Sequence, residues 1–178
     1  KKPISIYCRR YQEAMDLLEK IELREFRRRF VITQIGKHYL SFEIKNNEII
    51  GFMQQVKRGK LWVLSGNFGI GKTTGIVWWI LNNLNQSDDA IYLSMVNIVK
   101  RPQDLDYDYN VFFIDDVGLE EDWFKPIIQK VVNIAYNENK TLIMATNLKK
   151  EDIRRIYTPF FLNRIEQKGE FKEFTRRG

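Results

Sequence analysis

The stretch Gly66-Asn67-Phe68-Gly69-Ile70-Gly71-Lys72-Thr73 constrains this chain more than any other feature. It lies between the apolar run Leu61-Trp62-Val63-Leu64 and the apolar-rich Ile76-Val77-Trp78-Trp79-Ile80-Leu81. Two glycines at this spacing, followed at once by lysine and threonine, match the P-loop pattern, and strand, glycine loop, helix is the context that pattern requires. A plain glycine-rich turn would account for the glycines but not for Lys72 and Thr73 together.

The chemistry follows from the residue types. Gly66, Gly69 and Gly71 let the backbone curl closely around an anion with its amides pointing inward. The helix that begins near Lys72 directs its positive end at the same place. Residues Gly66, Asn67, Phe68, Gly69, Ile70, Gly71, Lys72, Thr73 and Thr74 are therefore expected to hold ATP. Lys72 is expected to reach the β- and γ-phosphates, Thr73 to ligate Mg²⁺ and Thr74 to touch the α-phosphate.

Composition limits what surrounds this site. With 178 residues, 44% of them hydrophobic, the chain has material for one domain and a small appendage. No apolar run approaches the length of a spanning helix, and the basic start KKPISIYCRR lacks the apolar centre of a signal peptide, so no membrane role and a cytoplasmic location are expected. Cys8 is the single cysteine, which excludes an internal disulfide framework and a tetrahedral zinc site. The formal charge of +6 permits a polyanionic partner without requiring one. Because the chain begins at Lys1 rather than methionine, further residues are expected upstream.

Periodicity supplies the frame. Apolar residues at 11, 14, 15, 18 and 21 predict a helix over Tyr11 to Phe30 whose basic end REFRRRF turns irregular. A short helix is expected from Asn46 to Lys57, then the P-loop strand and a helix to about Asn85. Strands are expected at 90–95, 111–115 and 141–147, with a fifth at EFKEF. Between the third and fourth strands lies an amphipathic helix that tolerates Pro126 in its first turn. The fold class is α/β, a parallel five-stranded sheet flanked by helices.

Catalytic groups in such sheets collect at the carboxyl ends of the strands. VFFIDDVG delivers Asp115 and Asp116 there, with Asp115 expected at Mg²⁺ and Asp116 expected to orient or deprotonate an attacking water. TLIMATN delivers Asn147, placed to hold that water and sense the γ-phosphate.

VFFIDDVG, the helix DWFKPIIQKVVNIAYNENK, TLIMATNL and finally FFLNRI together resemble the AAA+ ATPases of the DnaC/DnaI helicase-loader and IstB transposition-helper group, over about Phe30 to Arg177. The resemblance implies an AAA+ ATPase domain at 30–178, preceded by a helical linker at 1–29; the family's usual helical lid is not expected, because the chain stops soon after Arg164. It makes Asn147 the first sensor and Arg164 an arginine finger that reaches the ATP of a neighbouring subunit, hence self-association through the ATP site. Arg176 or Arg177 would match the arginine that ends the family's domain. A replicative hexameric helicase is the implied partner, with single-stranded DNA as a second.

Departures from the family pattern are visible as well. Phe160 stands where members often carry another arginine, and the segment VNIVKRPQDLDYDYN is short where the family inserts a DNA-gripping helix, leaving Lys100 and Arg101 as its cations. Trp78 and Trp79 read as packing residues, Trp123 and Phe124 as core or interface, and His38 has no companion that would make it catalytic or metal-binding. The competing readings are a transposition helper, an initiator-like DNA-binding switch and a P-loop nucleoside kinase. The kinase would need an acceptor pocket and a basic lid.

Overall fold

The computed structural model of the chain describes residues 6–42, 46–96 and 107–175. Lys100, Arg101, Arg176 and Arg177 lie outside the described residues. The strands are β1 (Leu61–Gly66), β2 (Ala90–Ser94), β3 (Val111–Val117), β4 (Thr141–Thr146) and β5 (Gly169–Phe174). They form one sheet in the order β2-β3-β4-β1-β5 in which every pairing is parallel.

Continuous apolar runs are what a sheet buried on both faces demands, because adjacent side chains point to opposite sides. Leu61, Val63, Phe112, Ile114, Leu142 and Met144 enter one core, while Trp62, Leu64, Val111, Phe113, Ile143 and Ala145 enter the other. Phe112 and Phe113 are thus neighbours in sequence, yet each is fully buried in a different layer. Burial of such a side chain contributes about 1.5–3 kcal/mol.

Among the described residues, the α-helices that cover these layers are α1 (Ile6–Gln34), α2 (Asn47–Gln55), α3 (Lys72–Asn83), α4 (Lys125–Asn137), α5 (Lys150–Ile156) and α6 (Pro159–Lys168). The first core takes Ile128 and Val131 from α4, Ile153 from α5 and Leu162 and Ile165 from α6. The second takes Val31 from α1, Ile49 and Met53 from α2 and Ile76 and Ile80 from α3. Local signals set the starts. The Asn46 side-chain oxygen accepts from the Glu48 and Ile49 amides to cap α2, and Pro126 and Pro159 sit in the first turns of α4 and α6, where a missing N–H costs nothing.

The expected helix over Tyr11 to Phe30 is longer than its periodicity indicates, and its basic end is regular helix. The reason is docking. The Arg27 guanidinium donates to the Leu84 and Leu81 carbonyls at 2.6 and 3.0 Å, satisfying acceptors at the carboxyl end of α3. Phe30 meets Phe113 edge to face at 6.1 Å and Val31 is fully buried. Residues 8–22 of the same helix are exposed, with Tyr11, Leu17, Leu18 and Ile21 bare. Helices α5 and α6, for which the sequence offers no stated expectation, carry the chain from β4 to β5.

Candidate nucleotide site

At the carboxyl edge of the sheet, the turn after β1, the ends of β3 and β4 and a 3₁₀ turn over Lys37–Ser41 surround a cavity of about 920 Å³. That is within the usual size for a small-molecule site. Residues Phe68 to Thr74 line it, together with Asp115, Asp116 and Asn147.

The loop itself is shaped by backbone. Gly71, at φ 98°, occupies the N-cap position of α3, and no side chain caps that helix, so its first amides point toward the cavity. Gly66 and Asn67 serve from behind: their carbonyls accept from the Lys72 ammonium at 2.7 and 3.0 Å. The same ammonium donates to Asn147 Oδ1 at 2.8 Å. Burial lowers the Lys72 pKa, and Asp115 and Asp116 oppose that shift.

A regular strand would send Asp115 and Asp116 to opposite faces. Here the register between β3 and β4 shifts between Ile114 and Val117, and Asp116 adopts φ 60°, so both carboxylates line the cavity. Asp115 Oδ2 accepts from the Thr73 hydroxyl at 2.6 Å and from the Tyr92 hydroxyl at 2.8 Å. Its Oδ1 accepts from the Asp116 amide at 2.9 Å. Burial, and after it the neighbouring Asp115, raises the Asp116 pKa, while Ser94, 3.4 Å from Asp116 Oδ2, pulls it back. The three turns are tied together from below. Ser65 donates to the Leu148 carbonyl at 2.7 Å and Thr146 to the Val117 carbonyl at 2.5 Å.

One wall was not legible from motifs. His38, Tyr39 and Phe42 face the cavity, their rings 4.3 to 6.0 Å apart, and Asn46 lines it beside them. These flat apolar faces suit a base. Only the cluster of rings after α1 hinted at this wall. His38 packs as a ring here.

Arg164 stands apart from this constellation. It lies on α6 against α4, donating to Asn133 Oδ1, with its guanidinium 5.7 Å from the Tyr136 ring centre and 6.0 Å from that of Phe160. Phe124 is core, Trp79 is core and Trp123 is half exposed.

The donor set fits a hard cation. Thr73 and Asp115 offer oxygens on one side of the cavity, and magnesium at a P-loop takes only one or two protein oxygens beside phosphate and water. Among the described residues no group of three or more His, Cys, Asp or Glu is arranged to hold an ion by itself.

The parallel order β2-β3-β4-β1-β5, a P-loop after β1 and paired acids at the end of β3 define an AAA+-type P-loop fold. Solved structures share it. DnaI is 16% identical over 78% of this chain and 88% of that one, with a TM-score of 0.54. The DnaC helicase loader is 17% identical, covering 78% and 96%, TM-score 0.54. AMPPCP-bound DnaA from Aquifex aeolicus is 15% identical, covering 76% and 49%, TM-score 0.52. At these identities the likeness is one of fold. No family profile and no curated protein sequence matches the chain. Among the described residues no helix is long and apolar enough to cross a membrane.

Proposed function

We propose that this protein is a Mg²⁺-dependent ATPase of the AAA+ type that serves as a replicative helicase loader. The observation that carries the reading is the convergence of Lys72, Thr73, Asp115, Asp116 and Asn147 on one cavity at the mouth of the glycine loop. Lys72 and the amides opening α3 bind the phosphates of ATP. Thr73 and Asp115 hold the metal, which when bound neutralises phosphate charge. Asp116, at the bulge, accepts a proton from water, and Asn147 orients that water by its amide. Arg164 does not line its own cavity and serves a neighbouring subunit's ATP.

On this reading, residues 1–29 serve as a linker and 30–178 as the ATPase domain. The fold shared with DnaI and the DnaC helicase loader supports a replicative hexameric helicase as partner, and the fold shared with a DnaA solved with single-stranded DNA supports that strand as a second ligand. The test is phosphate release from Mg-ATP, alone and with a hexameric helicase, using an equimolar mixture of Lys72→Ala and Arg164→Ala chains as the diagnostic arm. Each is inactive alone, and recovery on mixing is expected. Phosphate passed to a small acceptor instead of water would overturn the reading in favour of a kinase.

A further inference from the structure

Glu120 is a carboxylate that the chemistry above does not use, and it is only 8% exposed. Its partners are neutral. The Gly118 amide donates to Oε2 at 2.6 Å, and the Tyr157 hydroxyl donates to Oε1. Burial, and then the bond to Glu120, hold Tyr157 in its protonated, donating form. Burying a carboxylate against neutral donors is costly, and an apolar side chain would fill the same volume at lower cost. What the carboxylate adds is direction.

That direction runs between two functional elements. Glu120 closes the turn that follows Asp116, and this turn has no slack: Gly118 sits at φ 98°, where a Cβ would fall 2.3 Å from Leu148 Cδ1. Tyr157 lies in the joint between α5 and α6. Its ring stacks on Phe161 at 4.4 Å and 14°, and both are buried. Phe161 is one helical turn before Arg164. Beyond that turn, α6 is held to α4 by Arg164 on Asn133 and by Lys168 on the Tyr136 carbonyl. The Glu120 to Tyr157 bond is therefore the buried polar fastening at the amino end of α6, beside a longer, exposed bond from the Thr158 hydroxyl to Gln129 Oε1 at 3.3 Å; ring stacking alone sets no unique orientation there.

We propose that Glu120 is a positioning residue: through the Tyr157 hydroxyl it fixes the pose of α6 and thus the direction in which Arg164 is presented to a neighbouring subunit. The inference rests on Arg164 acting in trans.

The experiment adds Tyr157→Phe, which removes one hydroxyl and keeps the stacked ring, to the mixture of Lys72→Ala and Arg164→Ala chains. Placed in the Lys72→Ala chain, which supplies the finger, it should lower the recovered kcat roughly tenfold to a hundredfold with KM for ATP unchanged. Placed in the Arg164→Ala chain, which supplies the site, it should leave the recovered rate unchanged. Glu120→Gln keeps one acceptor and should give a smaller loss with the same asymmetry. Equal loss in both chains, or loss in neither, overturns the positioning role. Absence of recovery in the parent mixture overturns the trans reading instead, and the inference with it.

Discussion

The Lys72 ammonium and the Asn147 side-chain oxygen lie 2.8 Å apart, joining the glycine loop after β1 to the end of β4. One cation thereby holds the loop carbonyls and the neighbouring strand end in a single hydrogen-bonded cluster.

Lys72→Ala removes the charged donor of that cluster without touching either core. Hydrogen bonds to charged groups contribute about 1.5–3 kcal/mol, so affinity for a fluorescent ATP analogue should fall roughly tenfold to a hundredfold. Circular dichroism should stay nearly unchanged. Unaltered affinity would remove the loop from consideration as the nucleotide site.

Asp116→Asn separates chemistry from binding and carries a pH signature. A carboxyl whose pKa is raised in the folded state penalises that state once pH exceeds the folded value, and the penalty vanishes below the ordinary value of 3.8. The variant should therefore melt above the parent at neutral pH, with the gap closing as pH falls through the raised pKa toward 3.8. Asparagine also tolerates φ 60°, which adds a constant gain, so the closing gap is the informative part. ATP should still bind while turnover drops about 10²- to 10⁴-fold.

Tyr92→Phe frees Asp115 Oδ2 from one of its two hydroxyl donors. Partners of this kind orient metal-binding carboxylates, and their loss weakens metal affinity by about tenfold or more. The midpoint of a magnesium titration, followed by fluorescence of bound nucleotide, should rise accordingly. A midpoint that does not move would show that Thr73 and the Asp116 amide suffice to orient Asp115.

Arg27→Met keeps the length of the side chain but leaves the Leu81 and Leu84 carbonyls without their donor. Urea unfolding should show a loss of about 1–2 kcal/mol, the worth of a partly buried charged pair of bonds. Nucleotide affinity should be retained, since Arg27 lies at the end of α3 remote from Lys72.

The parts of this molecule that could be read from sequence are those where local pattern and tertiary environment agree. VFFID and TLIMAT are unbroken apolar runs because both faces of their strands are covered, and the glycine loop is specified by residues that touch one another in the chain. The remainder depends on partners far away. REFRRRF looked irregular because its charges mask a face whose anchor, Arg27, finds carbonyls more than fifty residues on. The His38, Tyr39 and Phe42 wall has no spacing rule, since a 3₁₀ turn and Gly36 at φ 142° aim it. The sequence placed Asp115 and Asp116 together at the site, yet only the bulge after Ile114 explains how neighbours share a side.

The pairing of β5 with β1 also orders events in time. Gly66, the residue that opens the phosphate loop, is in register with Phe174, so the strand bearing the loop lacks one of its two neighbours until roughly a hundred more residues have been synthesised. At ribosomal rates of about 5–20 residues per second, that interval lasts several seconds. A nascent chain interrupted after Thr74 and before β5 carries the complete motif on a strand whose outer edge is still open to solvent, and to any other strand it meets.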